Sequence, residues 1–171
     1  MSKISLEIMQ KMIREVPKYR FFDLDNIFEC VILTETESFF NYYIDEYLNQ
    51  NKEAIYKKNE EGQNLLIFAC EKLNKITANS EIINIILKYE PIINLQDKYG
   101  NTALHYACAS ECMFYSKAHI LLDHGALITL KNNAGKNAFS VAVNNSNVDI
   151  DMIKLMFEHY KTETFGQDND D

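Results

Sequence analysis

A chain of 171 residues that is 47% apolar and 25% charged, with 5 Gly and 2 Pro, has room for one hydrophobic core and excludes both a linker-rich and a mostly disordered protein. Its 17 Lys and Arg against 25 Asp and Glu give a net charge of −8, which repels phosphate backbones and argues against a nucleic-acid partner; the densest basic cluster is only Lys52, Lys57 and Lys58. The apolar runs are too short to span a bilayer, and Lys3, Glu7, Lys11, Arg14 and Glu15 break up any apolar leader, so the expected protein is soluble and cytoplasmic, its four Cys being free thiols.

In chain order, residues 3–16 place Ile4, Ile8, Met9, Met12, Ile13 and Val16 on one face of an amphipathic helix, expected within residues 1–22 as a lid on the neighbouring helices, with a partner-binding or membrane-surface helix as the alternative. Residues 23–58 show helical periodicity, with Asn26 or Asp25 opening one helix and Phe39, Phe40, Tyr43 and Ile44 facing inward from the next. Three segments then align on a glycine: NEEGQNLLIFAC (59–70), DKYGNTALHYAC (97–108) and NNAGKNAFSVAV (132–143), at offsets of 38 and 35 residues. Two residues after each glycine stands a good helix N-cap, Asn64, Thr102 or Asn137. Each segment leads to a second apolar block, at 82–90, 117–126 and 152–160, so the unit is turn, helix, helix, repeated over 59–96, 97–131 and 132–161. Ile55 stands seven residues before Gly62 as Ile93 does before Gly100, which makes 23–58 a degenerate copy of the same unit. The acidic residues 162–171 are expected to be disordered.

The middle unit resembles the ankyrin repeat: Asp97, Gly100, Thr102-Ala103-Leu104-His105-Tyr106-Ala107 and Ile120-Leu121-Leu122-Asp123-His124-Gly125-Ala126 match its diagnostic stretches in order. That period is about 33 residues, and the excess here falls between the two helices of each unit. The flanking units depart from the pattern, with Ile67 and Ser140 where the family has His and Glu90-Pro91 where it has Gly-Ala, which leaves their bonds between repeats open. The resemblance implies an all-α ankyrin-repeat solenoid of about four helix-turn-helix units with an N-terminal capping helix, binding another protein through a concave face. It places Glu60, Glu61, Gln63, Glu71 and Lys72 on that face in the first matched unit. The second contributes Lys98, Tyr99, Asn101, Ala109 and Ser110, and the third Asn133, Ala134, Lys136, Asn144 and Asn145. Tyr99 is the leading anchor, an aromatic where the turn tip should be exposed.

Other chemistry is outweighed. His105, Cys108, Cys112 and His119 have the residue types of a metal site. However, Cys70, Cys108 and Val143 share one slot in the three units, as Cys30 does in the degenerate one, and a small apolar side chain packed between helices accounts for them. The resemblance gives His105 a structural role, bridging neighbouring turns through both ring nitrogens. Asp149 and Asp151 read as a helix start, Glu60-Glu61 lie in a turn, and no phosphate-binding glycine loop or H-E-x-x-H occurs. The reading is therefore a non-enzymatic module with no cofactor, no metal and no small-molecule substrate. The alternatives are an assembly subunit and, behind it, a metal- or thiol-dependent enzyme. With 15 Lys to 2 Arg, 19 Ile and 18 Asn, the coding bias is AT-rich. In this the chain resembles the small ankyrin proteins of viruses and intracellular pathogens that sequester host regulators, inhibitors of NF-κB among them, in the host cytoplasm or nucleus.

Overall fold

The computed structural model describes residues 37–72, 81–110, 114–146 and 150–166. The proposed lid within 1–22, the opening helix near Asn26, Cys30, Cys112, Asp149 and the final five residues lie outside them, as do the side chains of Phe39, Phe40 and Tyr43. The elements are α1 (Glu37–Gln50), a short 3-10 helix (Lys52–Tyr56), α2 (Leu65–Lys72), α3 (Glu81–Leu87), α4 (Ala103–Ala109), α5 (Phe114–Asp123), α6 (Ala138–Val143) and α7 (Ile150–Phe165). No extended strand occurs among the described residues; Lys131 and Asn137 form an isolated bridge.

The elements follow the expected register. Each unit's first helix packs on the next unit's, α2 on α4 and α4 on α6, while α1, α3 and α5 form a second row and α7 packs on α6. Ile44 and Leu48 of α1 are buried against this stack. Tyr89 ties the end of α3 to α1, its hydroxyl donating to the Asp45 carbonyl at 2.8 Å and to the Asp45 carboxylate at 3.0 Å.

Each inner helix starts with the expected cap. Asn64 Oδ1 accepts from the Ile67 N–H at 3.0 Å, Thr102 Oγ1 from His105 at 3.4 Å and Asn137 Oδ1 from Ser140 at 2.9 Å. Ahead of each cap sits a closed turn whose glycine takes a positive φ: 77° at Gly62, 75° at Gly100 and 73° at Gly135. At Gly100 a side chain is barred twice, because a Cβ would also lie 2.6 Å from Asn133 Oδ1 and 2.8 Å from the Asn133 nitrogen.

His105 bridges the second and third units. Its Nδ1 takes the Thr102 backbone N–H at 3.2 Å, so that nitrogen carries the lone pair, and Nε2 donates to the Lys136 carbonyl at 3.0 Å. Burial holds its pKa below the usual 6.5. The open question at Ile67 and Ser140 resolves differently in each unit. In the first unit Asn64 Nδ2 donates to the Ile92 carbonyl at 3.1 Å, a bond within the unit that ties the start of its inner helix to the segment after its outer one. In the third, Ser140 Oγ donates at 2.8 Å to its own turn at Asn137.

Two expectations need correction. Cys70 and Cys108 are fully buried, but Val143 in the same slot is 53% exposed. The slot is sealed by the next inner helix, and among the described residues none lies over α6. Residues 162–165, expected to be disordered, belong to α7. The Glu163 carboxylate anchors them, accepting the backbone N–H groups of Ile128 at 2.8 Å and Thr129 at 3.1 Å and the Thr129 hydroxyl at 3.0 Å.

Leu104 is fully buried at the centre of the stack, so Leu104→Ala should lower the unfolding free energy by about 2–5 kcal/mol in a urea titration, from lost transfer energy and the cavity left behind. Burial pushes the Cys70 thiol up to about 12 and raises that of Cys108 as well. Both should resist alkylation in the native protein and react once it is unfolded, as read by mass spectrometry of the alkylated peptides. Because the folded pKa of His105 is depressed, its contribution is complete above about pH 6.5 and is lost as pH falls below that value. Urea titrations at about pH 7.5 and about pH 5.5 should therefore show a larger acid loss of stability in the wild type than in His105→Leu.

Candidate interaction surface

The turns are built by one repeated device. An Asx side chain three residues before each glycine accepts two backbone N–H groups across the tip. Asn59 Oδ1 takes those of Glu61 and Gln63 at 3.0 and 2.9 Å, Asp97 Oδ1 those of Tyr99 and Asn101 at 2.9 Å each, and Asn132 Oδ1 those of Ala134 and Lys136 at 3.0 Å each. Consecutive tips are then linked through the backbone, Lys98 N–H donating to the Glu61 carbonyl at 2.9 Å and Asn133 N–H to the Tyr99 carbonyl at 3.0 Å. The three tips form one row of fixed spacing. Sequence reasoning quoted Asp97 only as part of a motif and missed Asn59 and Asn132; the legible signal was an Asx at position −3 from all three turn glycines.

Along this row the expected binding residues divide into three groups. Glu60, Lys72, Lys98, Tyr99, Ala109, Asn133, Ala134, Lys136 and Asn144 are exposed. Glu61, Glu71, Asn101 and Asn145 are half-buried. Gln63 and Ser110 are buried, at 2% and 0% exposure, so their side chains face inward rather than toward a partner. Gln63 is held by both ends of its amide, accepting from Asn59 Nδ2 at 3.1 Å and donating to Glu71 Oε2 at 2.8 Å. Ser110 lies under Asn145, whose Nδ2 donates to the carbonyls of Cys108 at 2.9 Å and Ser110 at 2.8 Å. That amide is an inter-unit tie as much as a surface group. Asn101 likewise accepts from Asn132 Nδ2 at 2.8 Å.

The middle tip is the most organised. Glu61 of the first turn forms an ion pair with Lys98 of the second, and the Lys98 ammonium stands 5.0 Å from the centre of the Tyr99 ring. Their hydrogen bond holds the Glu61 carboxyl below its usual range and the Lys98 ammonium above its own. Tyr99 is 51% exposed on a backbone whose N–H is fixed by Asp97 and whose carbonyl is fixed by Asn133. Behind it the Tyr106 hydroxyl donates to Asp97 Oδ2 at 2.6 Å, and burial followed by that carboxylate pushes the phenol up to about 12. The result is a preorganised aromatic between charges of both signs, suited to recognition of another surface. Both His105 ring nitrogens are occupied by the turns, so the histidine is a structural bridge.

Comparison with known proteins agrees with this architecture. Residues 37–132, from α1 into the third turn, match the family model for ankyrin repeats in three copies. A putative ankyrin repeat protein of Acanthamoeba polyphaga mimivirus is 36% identical over 89 residues, covering 52% of this chain and 20% of that protein. Ankyrin repeat protein 14 of vaccinia virus (strain Western Reserve) is 34% identical over 80 residues, 47% of this chain and 32% of that protein. An ankyrin repeat domain-containing protein of cowpox virus (strain Brighton Red) is 28% identical over 123 residues, 72% of this chain and 15% of that protein. The chain thus spans a third or less of the length of these relatives. With the glycine turns, the paired helices and the bridging histidine in register with that match, the chain belongs to the ankyrin repeat family, whose members are generally protein-protein interaction modules and typically not enzymes.

Proposed function

We propose that this chain binds a partner protein through the row of turn tips and the adjoining exposed ends of α2, α4 and α6, with Tyr99 as the central anchor, and that the partner is a host regulatory protein held by a viral module. The observation that carries the reading is Tyr99 itself, a half-exposed aromatic on a rigid tip with Lys98 and Glu61 beside it. An aromatic anchor whose backbone is already fixed loses little conformational freedom on binding, which is what turns contact area into affinity. The viral origin of the relatives supports the host-regulator part, and with it a site of action in the host cytoplasm or nucleus.

Affinity capture from host-cell lysate followed by mass spectrometry identifies the partner, and variants then locate the site. Tyr99→Ala combined with Lys98→Gln should weaken binding of that partner by about thirtyfold or more. Lys88→Gln, on an exposed position of the outer row, should leave it unchanged. Retention in the tip variant together with loss in the Lys88 variant would move the site to the other side of the stack.

A further inference from the structure

We infer that the exposed stripe of α7 is an interface between two copies of this chain, the two helices packed antiparallel about a twofold axis beside Met156. Met152 and Met156 turn the inner side of α7 into the core with no exposure. On the opposite side, Ile150, Lys154, Phe157, Lys161 and Phe165 recur at spacings of three and four residues, a single stripe along a 16-residue helix. Ile150 is 71% exposed, Phe157 48% and Phe165 64%. Three of the eight exposed large apolar side chains among the described residues therefore lie on one line. Scattered apolar residues are ordinary on a monomer's surface, whereas three aligned along one helix offer a partner helix a continuous line of contact.

The charges on α7 say what covers it. Asp151, Lys154, Glu158 and Lys161 are all exposed, and their signs alternate. Asp151 and Lys161 stand equally far from Met156 on either side, and so do Lys154 and Glu158. When a second copy of the helix is laid alongside in the opposite direction about that point, Asp151 meets Lys161 of the other copy and Lys154 meets its Glu158. Both relations hold in both directions, as an isologous twofold contact requires. Ile150 comes within a turn of Phe165 of the other copy, and the two Phe157 side chains meet near the axis. In the single chain these charges are satisfied within the helix, Lys154 with Asp151 at 3.0 Å and Lys161 with Glu158 at 2.8 Å, so the face is locally neutral. The net charge of −8 on each copy opposes association only weakly at that face, since distant charges are screened over about 8 Å at physiological salt. The Glu163 anchor to Ile128 and Thr129 fixes the far end of the helix, so the stripe is presented rigid.

The test is the mass of the 171-residue chain by light scattering across a concentration series. The expected result is a shift from 19.9 kDa toward twice that value by about 0.5 mM, where even a Kd of about 0.1 mM fills most sites. Asp151→Lys with Glu158→Lys makes one face all cationic, and Lys154→Glu with Lys161→Glu makes the other all anionic. Each variant alone should stay monomeric, and an equimolar mixture should regain the dimer as a heterodimer. Circular dichroism confirms that each remains helical, which the exposure of all four positions leads one to expect. Phe157→Glu should abolish association in every combination. A wild-type mass that stays at 19.9 kDa throughout, a dimer that survives Phe157→Glu, or a mixture that fails to pair would overturn the inference.

Discussion

The structure depends on one oxygen atom per unit. A polypeptide that leaves an outer helix and must begin an inner one has to reverse direction and expose backbone donors as it does so. Asn59, Asp97 and Asn132 each solve this with a single side-chain oxygen that takes two N–H groups, and at the first two tips the carbonyls of Glu61 and Tyr99 accept from the next unit. Tip-to-tip spacing is therefore set by backbone hydrogen bonds, while the helices behind bury the apolar surface that makes stacking favourable. Function and stability are divided between the two: tips can vary in side chain without touching the core, and the core can be packed without fixing the tips' chemistry.

The fold was legible where a residue type has one physical reason to stand at a given spacing. Glycines at positive φ, caps two residues later and a histidine whose two nitrogens face two turns are such cases, and their register came out of the sequence intact. The binding surface was less legible because position in a repeat does not report what a neighbour does to a side chain. Gln63 and Asn101 are equivalent by position, but Gln63 is buried by Asn59 and Glu71 whereas Asn101 remains half-exposed. Val143 failed for a related reason, since burial of its slot belongs to the following unit and not to the residue.

The first unit shows how far the pattern bends before it breaks. It lacks the bridging histidine and the glycine after its second helix. Asn64 nevertheless serves as both N-cap and long-range donor, and Glu90 adopts the left-handed φ of 53° that glycine takes without strain at Gly125. Pro91 enforces the stop that follows, because proline cannot extend the helix.

The same position in the third unit is Tyr160, followed by Lys161, and there neither a glycine nor a proline enforces a stop. The helix runs on to Phe165 with Tyr160 stacked on Phe139 at 6.1 Å. Each earlier unit hands its chain back to the row of turns by ending its outer helix at this point. The third unit instead keeps its helix going beyond that point, packed on α6. Two adjacent residues thus act as punctuation for the array: where they are Glu-Pro or Gly-Ala the outer helix ends, and where they are Tyr-Lys it continues, held to the stack by the Glu163 carboxylate.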